Sequence, residues 1–249
     1  MATNKRSIEE KVEDWCKLQL HGQRYYTKTE SINNEIEDAL RKAPSKTGGD
    51  GINYQDIKCF IQTSKLRSIP VMIEVKGKKG ALTKLDESGN VENKKKDGSP
   101  NYSNIAKYAV NGAIHYANAI LNFTESYKEV VAIGVNGYES NGNFVKEIGV
   151  YFVSKDNLFV PKKVSCYSDL SFLLPNNVES FINALDELAL SDEELENKKL
   201  ELEDDIERKL KKLNQKMHDE LSIEVGARVK LIAGLAMAGL GVKNKVAPL

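Results

Sequence analysis

The chain opens with two stretches in which apolar residues recur every three or four positions. The first begins with a serine three residues ahead of a glutamate, the pattern of a capping box, and predicts a helix over residues 7–20. The second, over residues 29–43, places its apolar side chains on one face, and the glycines of KTGGDG end it. Residues 55–61 and 70–76 are instead rich in β-branched side chains between turn residues, so they predict two strands.

A long polar segment separates these strands from the next predicted elements. Residues 77–100 are rich in lysine and glycine, and they predict a flexible loop. The segment NIAKYAVNGAIHYANAIL then predicts a buried helix, and EVVAIGVNG and NFVKEIGVYFVS predict two strands. The first of these is nearly continuous in apolar residues, as strands at the centre of a sheet are. The order of elements predicts an α/β fold with a mixed central β-sheet flanked by helices.

The last third of the chain predicts helices only. One apolar stripe at spacings of three and four runs along a long, charged segment from residue 195 to 221, and an apolar helix follows over residues 225–240. We therefore place a domain boundary near residue 175. Residues 1–175 are expected to form an α/β domain, and residues 176–249 a helical connector.

Composition narrows the class of protein. Lysine plus arginine equals aspartate plus glutamate at 36 each, which does not favour a chain that grips nucleic acid unaided. Three cysteines and three histidines, far apart, do not predict a disulfide framework or a structural zinc site. The start of the chain has no apolar core of a signal peptide, and no apolar run is long enough for a membrane span, so we expect a cytoplasmic protein without a membrane partner.

Candidate chemistry lies on the two predicted strands. If they pair as a hairpin turning near Lys65, Asp56 comes to lie beside Glu74. Because residues two apart in a strand share a face, Lys76 points the same way as Glu74. Two carboxylates hold a hard cation such as Mg²⁺, for which Mn²⁺ substitutes, and an adjacent ammonium orients a water or stabilises charge on a phosphate.

These residues resemble the PD-(D/E)XK nuclease superfamily over roughly residues 30–153. YQD stands where that family often has a proline–aspartate pair, and IEVK stands as its E-x-K motif. The resemblance implies that Asp56 and Glu74 are metal ligands and that Lys76 is the catalytic lysine. It also implies a glutamate from the preceding helix as a further metal ligand. Glu35 is the candidate for that position, with Glu37 as its alternative.

Other positions leave choices open. Asp50 competes with Asp56, but its glycine neighbours favour a turn residue. Some nuclease families keep a glutamine-x-x-x-tyrosine motif where this chain has Gly112 and Tyr116. Asn111 or His115 are substitutes for the glutamine, although a buried helix with satisfied polar groups is the favoured interpretation.

Lysines continue beyond the E-x-K motif. Lys78 and Lys79 are candidates for DNA binding, through contacts with phosphates that carry no sequence information. The alternative for them, and for the lysines at 94–96, is a solvated loop.

The arrangement of the chain also resembles fused, type IIG-like restriction–modification enzymes. In these, an N-terminal nuclease and a helical connector precede an adenine-N6 methyltransferase. The resemblance implies a site-specific deoxyribonuclease acting on double-stranded DNA, with methyltransferase and specificity regions elsewhere in the full-length chain. S-adenosylmethionine would bind only there, and two copies are expected to pair on DNA. The alternatives are a DNA repair nuclease and a non-catalytic DNA-binding or assembly domain of the same fold.

Overall fold

The β-branched segments build one mixed β-sheet. A computed structural model describes residues 6–51, 53–62 and 67–240. Within them the strands lie in chain order across the sheet: β1 (Tyr25–Thr27), β2 (Ile57–Gln62), β3 (Ser68–Lys76), β4 (Glu129–Ser140), β5 (Asn143–Ser154) and β6 (Lys162–Lys163). Neighbouring strands are antiparallel except β3 and β4, which are parallel. The predicted hairpin of β2 and β3 is confirmed, although its turn near Lys65 lies outside the described residues.

Helices cover both faces of the sheet. They are α1 (Ile8–Gln19), α2 (Asn34–Lys42), α3 (Tyr102–Lys107), α4 (Ala109–Phe123) and α5 (Val178–Asp186). Odd-numbered residues of β2 and β3 share an apolar core with α1 and α5, whereas Met72 of β3 and Val130 and Ala132 of β4 share a second core with α2 and α4. This arrangement confirms the predicted α/β fold with a mixed central sheet flanked by helices.

The predicted buried helix is interrupted after α3. Tyr108 adopts an extended conformation, with φ −112° and ψ 136°, and separates α3 from α4. No side chain caps α4. Its first two N–H groups, of Ala109 and Val110, instead donate to the carbonyls of Ala81 and Leu82 in the preceding segment. The break therefore brings the polar segment and α4 together.

The polar segment 77–100, whose composition predicts a flexible loop, has ordered turns and hydrogen bonds to α4. It forms two short turns closed by the isolated bridges Leu85–Val91 and Lys94–Pro100. The buried Asn111 side chain of α4 accepts from the backbone N–H of Lys84 and donates to the side-chain oxygen of Asn93, each at 2.9 Å. Hydrogen bonds to a buried helix hold the segment, and the sequence pattern gives no sign of them.

The structure divides the chain after Leu190 into two compact units. The predicted boundary near residue 175 falls before α5, whereas the apolar face of α5 packs in the core of the sheet. The second unit contains α6 (Asp192–Asp219), which starts at a capping box of Ser191 and Glu194, and α7 (Val225–Leu240). None of the helices in the described part of the chain is long and apolar enough to cross a membrane.

Candidate active site

The β2–β3 register places two carboxylates side by side. Ile57 pairs with Ile73, so Asp56, one residue before the ladder, lies across from Glu74. The Asp56 carboxylate continues the pairing, because its Oδ2 accepts a hydrogen bond of 2.7 Å from the backbone N–H of Val75. The structure thus brings Asp56 and Glu74 together, and both side chains are buried.

Glu74 is the centre of the cluster. Its Oε1 accepts from the ammonium of Lys76 at 2.5 Å and from that of Lys46 at 2.7 Å. Its Oε2 is buried and has no hydrogen-bond partner. A buried carboxylate oxygen without a partner is costly, so this atom is suited to a ligand that supplies positive charge.

The two carboxylates differ in acidity. Burial and the neighbouring Glu74 charge raise the pKa of Asp56 to about 6, although the Val75 N–H and Lys28 oppose the shift. Burial also acts to raise the pKa of Glu74, but the ammonium groups of Lys76 and Lys46 outweigh it and hold this pKa below its usual range. Burial would lower the pKa of Lys76, and the Glu74 carboxylate raises it instead. At neutral pH the cluster therefore contains ionised Glu74 beside a charged lysine.

Two lysines of the cluster were not predicted from the sequence. Lys46 follows α2 in the KTGGDG segment, and Lys28, just after β1, lies 3.5 Å from Oδ1 of Asp56. The side-chain amide of buried Asn53 donates to three carbonyls at the end of α2, and its oxygen accepts from the Lys46 N–H. These hydrogen bonds hold the loop in the conformation that places Lys46 beside Glu74. No spacing of residues in the sequence indicates this contact.

Helix α4 closes the cluster on the side of Gly112 and Tyr116. A Cβ on Gly112 would meet Cγ of Glu74 at 3.2 Å, so a glutamine there would press on this carboxylate. The Tyr116 hydroxyl donates to the carbonyl of Tyr54 at 3.0 Å, and burial, then the charge of Glu74, raise its pKa. Asn111 and His115 bond to backbone groups of neighbouring loops, as expected for satisfied polar groups of a buried helix.

Glu35 is not brought to the carboxylate pair. Its Oε1 accepts from the backbone N–H of Ser126, which lies past the C-terminal end of α4, whereas Gly112 near its start contacts Glu74. Glu37 instead pairs with the buried ammonium of Lys58 at 2.8 Å. Asp50 is exposed in its turn.

A groove borders the cluster on the Lys76 side. Lys76, Lys78 and Lys107 line it together with the first residues of α1, which include Glu9, and we call it the lysine groove. Lys79 is exposed beside it but does not line it. A separate, open cleft of about 250 Å³ is lined by Lys28, Lys46, Tyr54 and Tyr116 among others. Both openings thus carry lysines that contact the carboxylate pair.

The donor set suits a hard cation that keeps water. No three His, Cys, Asp or Glu side chains in the described part of the chain are close enough to form a metal site alone. Mg²⁺ commonly binds through one or two carboxylates and completes its shell with waters and substrate phosphates. Asp56 and the partnerless Oε2 of Glu74 fit that pattern, and a tetrahedral zinc site would need more protein ligands.

The fold and the cluster together define an α/β domain with paired carboxylates and adjacent lysines near the start of β2 and the end of β3. The chain is 32% identical, over 200 residues, to the type II restriction enzyme and methyltransferase RM.BcgI of Heyndrickxia coagulans. The aligned part is 79% of this chain and 26% of that protein, so the chain spans about a quarter of its relative's length. No family model and no solved structure matches the chain.

Proposed function

We propose that this chain is the magnesium-dependent DNA-cleaving part of a restriction–modification enzyme, of the PD-(D/E)XK type. The observation that carries the proposal is the pairing of Asp56 with Glu74 beside the Lys76 ammonium, with one Glu74 oxygen lacking a partner. The likeness to a restriction enzyme and methyltransferase supports DNA as the substrate. We further propose that methyltransferase and specificity regions, where S-adenosylmethionine binds, belong to the same full-length protein.

Asp56 and Glu74 would hold Mg²⁺, which when bound polarises the phosphate and makes an attacking water more acidic. Lys76 stays protonated because Glu74 raises its pKa, so it acts as a charge and not as a base. Its ammonium is positioned to stabilise negative charge on the phosphate or to orient the water. Glu35 has no part in this proposal, since its carboxylate is engaged at Ser126.

The lysines that line the groove and the cleft suggest how a DNA strand lies. Lys76 lines the lysine groove and Lys46 lines the cleft, and both ammonium groups contact Glu74. A strand across both would place successive phosphates near Lys78, Lys76 and Lys46. Such contacts position the backbone and carry no sequence information, so recognition is left to other regions of the full-length protein.

Cleavage of plasmid DNA in Mg²⁺ or Mn²⁺ tests the proposal. We expect the wild-type chain to convert supercoiled to nicked DNA, and Lys76→Met and Glu74→Gln to do so at least about a hundredfold more slowly. Glu139→Gln, an exposed carboxylate, is the matched control and should cut at the wild-type rate. DNA binding without cleavage, in both metals, would favour the non-catalytic DNA-binding or assembly domain.

A further inference from the structure

Glu74 is shielded from solvent by lysines. None of its surface is exposed, whereas the Lys46 side chain is 29% exposed and that of Lys76 only 13%. Both ammonium groups contact the same oxygen, Oε1. The two ammonium groups repel each other because both are positively charged. Each is held near this oxygen by its attraction to the negative charge of the Glu74 carboxylate. Lys46, the more exposed of the two, is the cation that can leave.

The backbone around Lys46 is fixed. Asn53 holds the Lys46 N–H at 3.1 Å, and His115 contacts the carbonyl of Pro44 at 2.9 Å. At Gly48, with φ +78°, an added Cβ would lie 2.5 Å from the Tyr102 ring, so the loop is packed on α3. The position of Lys46 is therefore built by the fold, and only its side chain is free to change partner.

The Lys46 side chain lines the cleft, where its ammonium could contact a different anion. Lys46 lines it together with Lys28, Ser45 and Thr47, which bring a second ammonium and two hydroxyls. This set of donors suits a phosphate oxygen. None of the described residues that line the cleft is a carboxylate, so a substrate phosphate there would offer Lys46 an anion other than the carboxylate pair.

We propose that Lys46 is an exchangeable cation: it neutralises Glu74 in the metal-free protein and moves to a DNA phosphate when a divalent ion binds. The inference rests on the proposed function. Formal charges explain the exchange, because the two carboxylates of Asp56 and Glu74 cannot balance two ammonium groups and a divalent ion together. A phosphate in the cleft supplies the missing negative charge. Lys46 thus delays metal binding until DNA is present.

Calorimetric titration of Mn²⁺ without DNA tests the first half. We expect Lys46→Met to bind Mn²⁺ on the order of tenfold more tightly than wild type, because the competing ammonium is gone. Lys42→Met removes an exposed lysine four residues away and is the matched control, expected to bind as wild type does. If Lys46→Met does not fold, Lys46→Gln serves in its place.

The salt dependence of DNA binding tests the second half. With Ca²⁺, which takes the same oxygen ligands, Lys46→Met should lower the slope of log K against log salt by about one. Without a divalent ion, the slope should equal that of wild type, since Lys46 is then engaged at Glu74. Equal slopes for variant and wild type in both conditions would overturn the exchange.

The outcomes separate this inference from the function on which it rests. Metal binding that Glu74→Gln loses but Lys46→Met leaves unchanged or weakened overturns the role of Lys46 alone. No metal binding by wild type, with or without DNA, overturns the proposed function and the role of Lys46 with it.

Discussion

At the scale of residues, two neighbouring carboxylates are held in opposite ways. Asp56 has a pKa raised to about 6, mainly by burial, while Glu74 has a pKa below its usual range because two ammonium groups touch it. The surroundings therefore disfavour ionisation of Asp56 and favour ionisation of Glu74. Such opposed environments are typical of functional carboxylates.

Replacing Asp56 with asparagine is expected to stabilise the metal-free protein at pH 8. The pKa of Asp56 in the folded state lies above the ordinary 3.8, so the folded state binds a proton more tightly than the unfolded chain. Stability from this group is present at low pH and is lost as the pH rises through about 6. Asp56→Asn should raise the free energy of unfolding at pH 8 by on the order of 1–3 kcal/mol, measured by urea denaturation, with no gain near pH 3.5.

The comparison variant is Glu74→Gln, whose effect should have the opposite sign. A lowered pKa contributes stability above the ordinary pKa, and this is lost as the pH falls. Without the carboxylate, the ammonium of Lys76 is left partly buried and unpaired, so Glu74→Gln should destabilise the protein at pH 8. Stabilisation by both variants, or by neither, would contradict the opposed environments.

The sequence predicted that Asp56, Glu74 and Lys76 lie together, because strand periodicity and hairpin register decide which side chains meet. Lys46 and Lys28 escaped prediction because loops carry them to the site, and loop closure leaves no periodic signal. Glu35 was chosen by its place beside an apolar helix face. That pattern locates a face but not the position along the helix axis, and the structure engages Glu35 with Ser126.

At the scale of elements, close approach of α4 to the sheet positions the site. Gly134 of β4 pairs with Glu74 of β3, and a Cβ there would lie 2.4 Å from the backbone nitrogen of Val110 at the start of α4. Backbone atoms cannot move aside as a flexible side chain can. The absence of a side chain at this position therefore lets Gly112 and Tyr116 reach Glu74.

Gly134→Ala is accordingly expected to push α4 from the sheet. We predict destabilisation by about 1–3 kcal/mol in chemical denaturation, the usual cost of overpacking, together with weaker metal binding. Gly49→Ala is the matched control, because an added Cβ there meets nothing within 4 Å. Equal stability of the two variants would show that α4 can shift without cost.

The sequence predicted helices and strands correctly where buried residues recur periodically. It failed where hydrogen bonds between distant segments determine the local structure. The capping box at Ser7 and the β2–β3 hairpin were predicted correctly. The break at Tyr108 was missed because α3 and α4 are each helical by composition, and the polar segment 77–100 was predicted as flexible. In both cases the deciding contacts are hydrogen bonds between α4 and the polar segment, which involve Ala81, Leu82 and Asn111. Their partners lie more than twenty residues apart in sequence.

At the scale of the whole molecule, balanced charge coexists with local positive surfaces. The formal net charge is zero, yet lysines line both the lysine groove and the cleft. The proposed function does not require strong DNA binding by this chain alone, because the chain covers only 26% of its relative. The sequence could predict the balance of charge but not which lysines share a surface.

Lys78→Ala combined with Lys107→Ala tests the lysine groove as a DNA-binding surface. We expect weaker binding to every DNA sequence and a salt-dependence slope lower by about one for each phosphate that a lysine no longer neutralises. Lys163→Ala, on β6 at the far edge of the sheet, is the control and should leave the slope unchanged. Wild-type slopes for the double variant would place the DNA elsewhere.

The most direct test of the central claim is calorimetric titration of Mn²⁺ and Mg²⁺ in the presence of DNA at pH 7.5. We predict binding by wild type that Asp56→Asn and Glu74→Gln each lose, whereas Glu35→Gln, a carboxylate engaged at Ser126, retains it. Retention by either of the first two variants, or loss by Glu35→Gln alone, would contradict a metal site built on the paired carboxylates of β2 and β3.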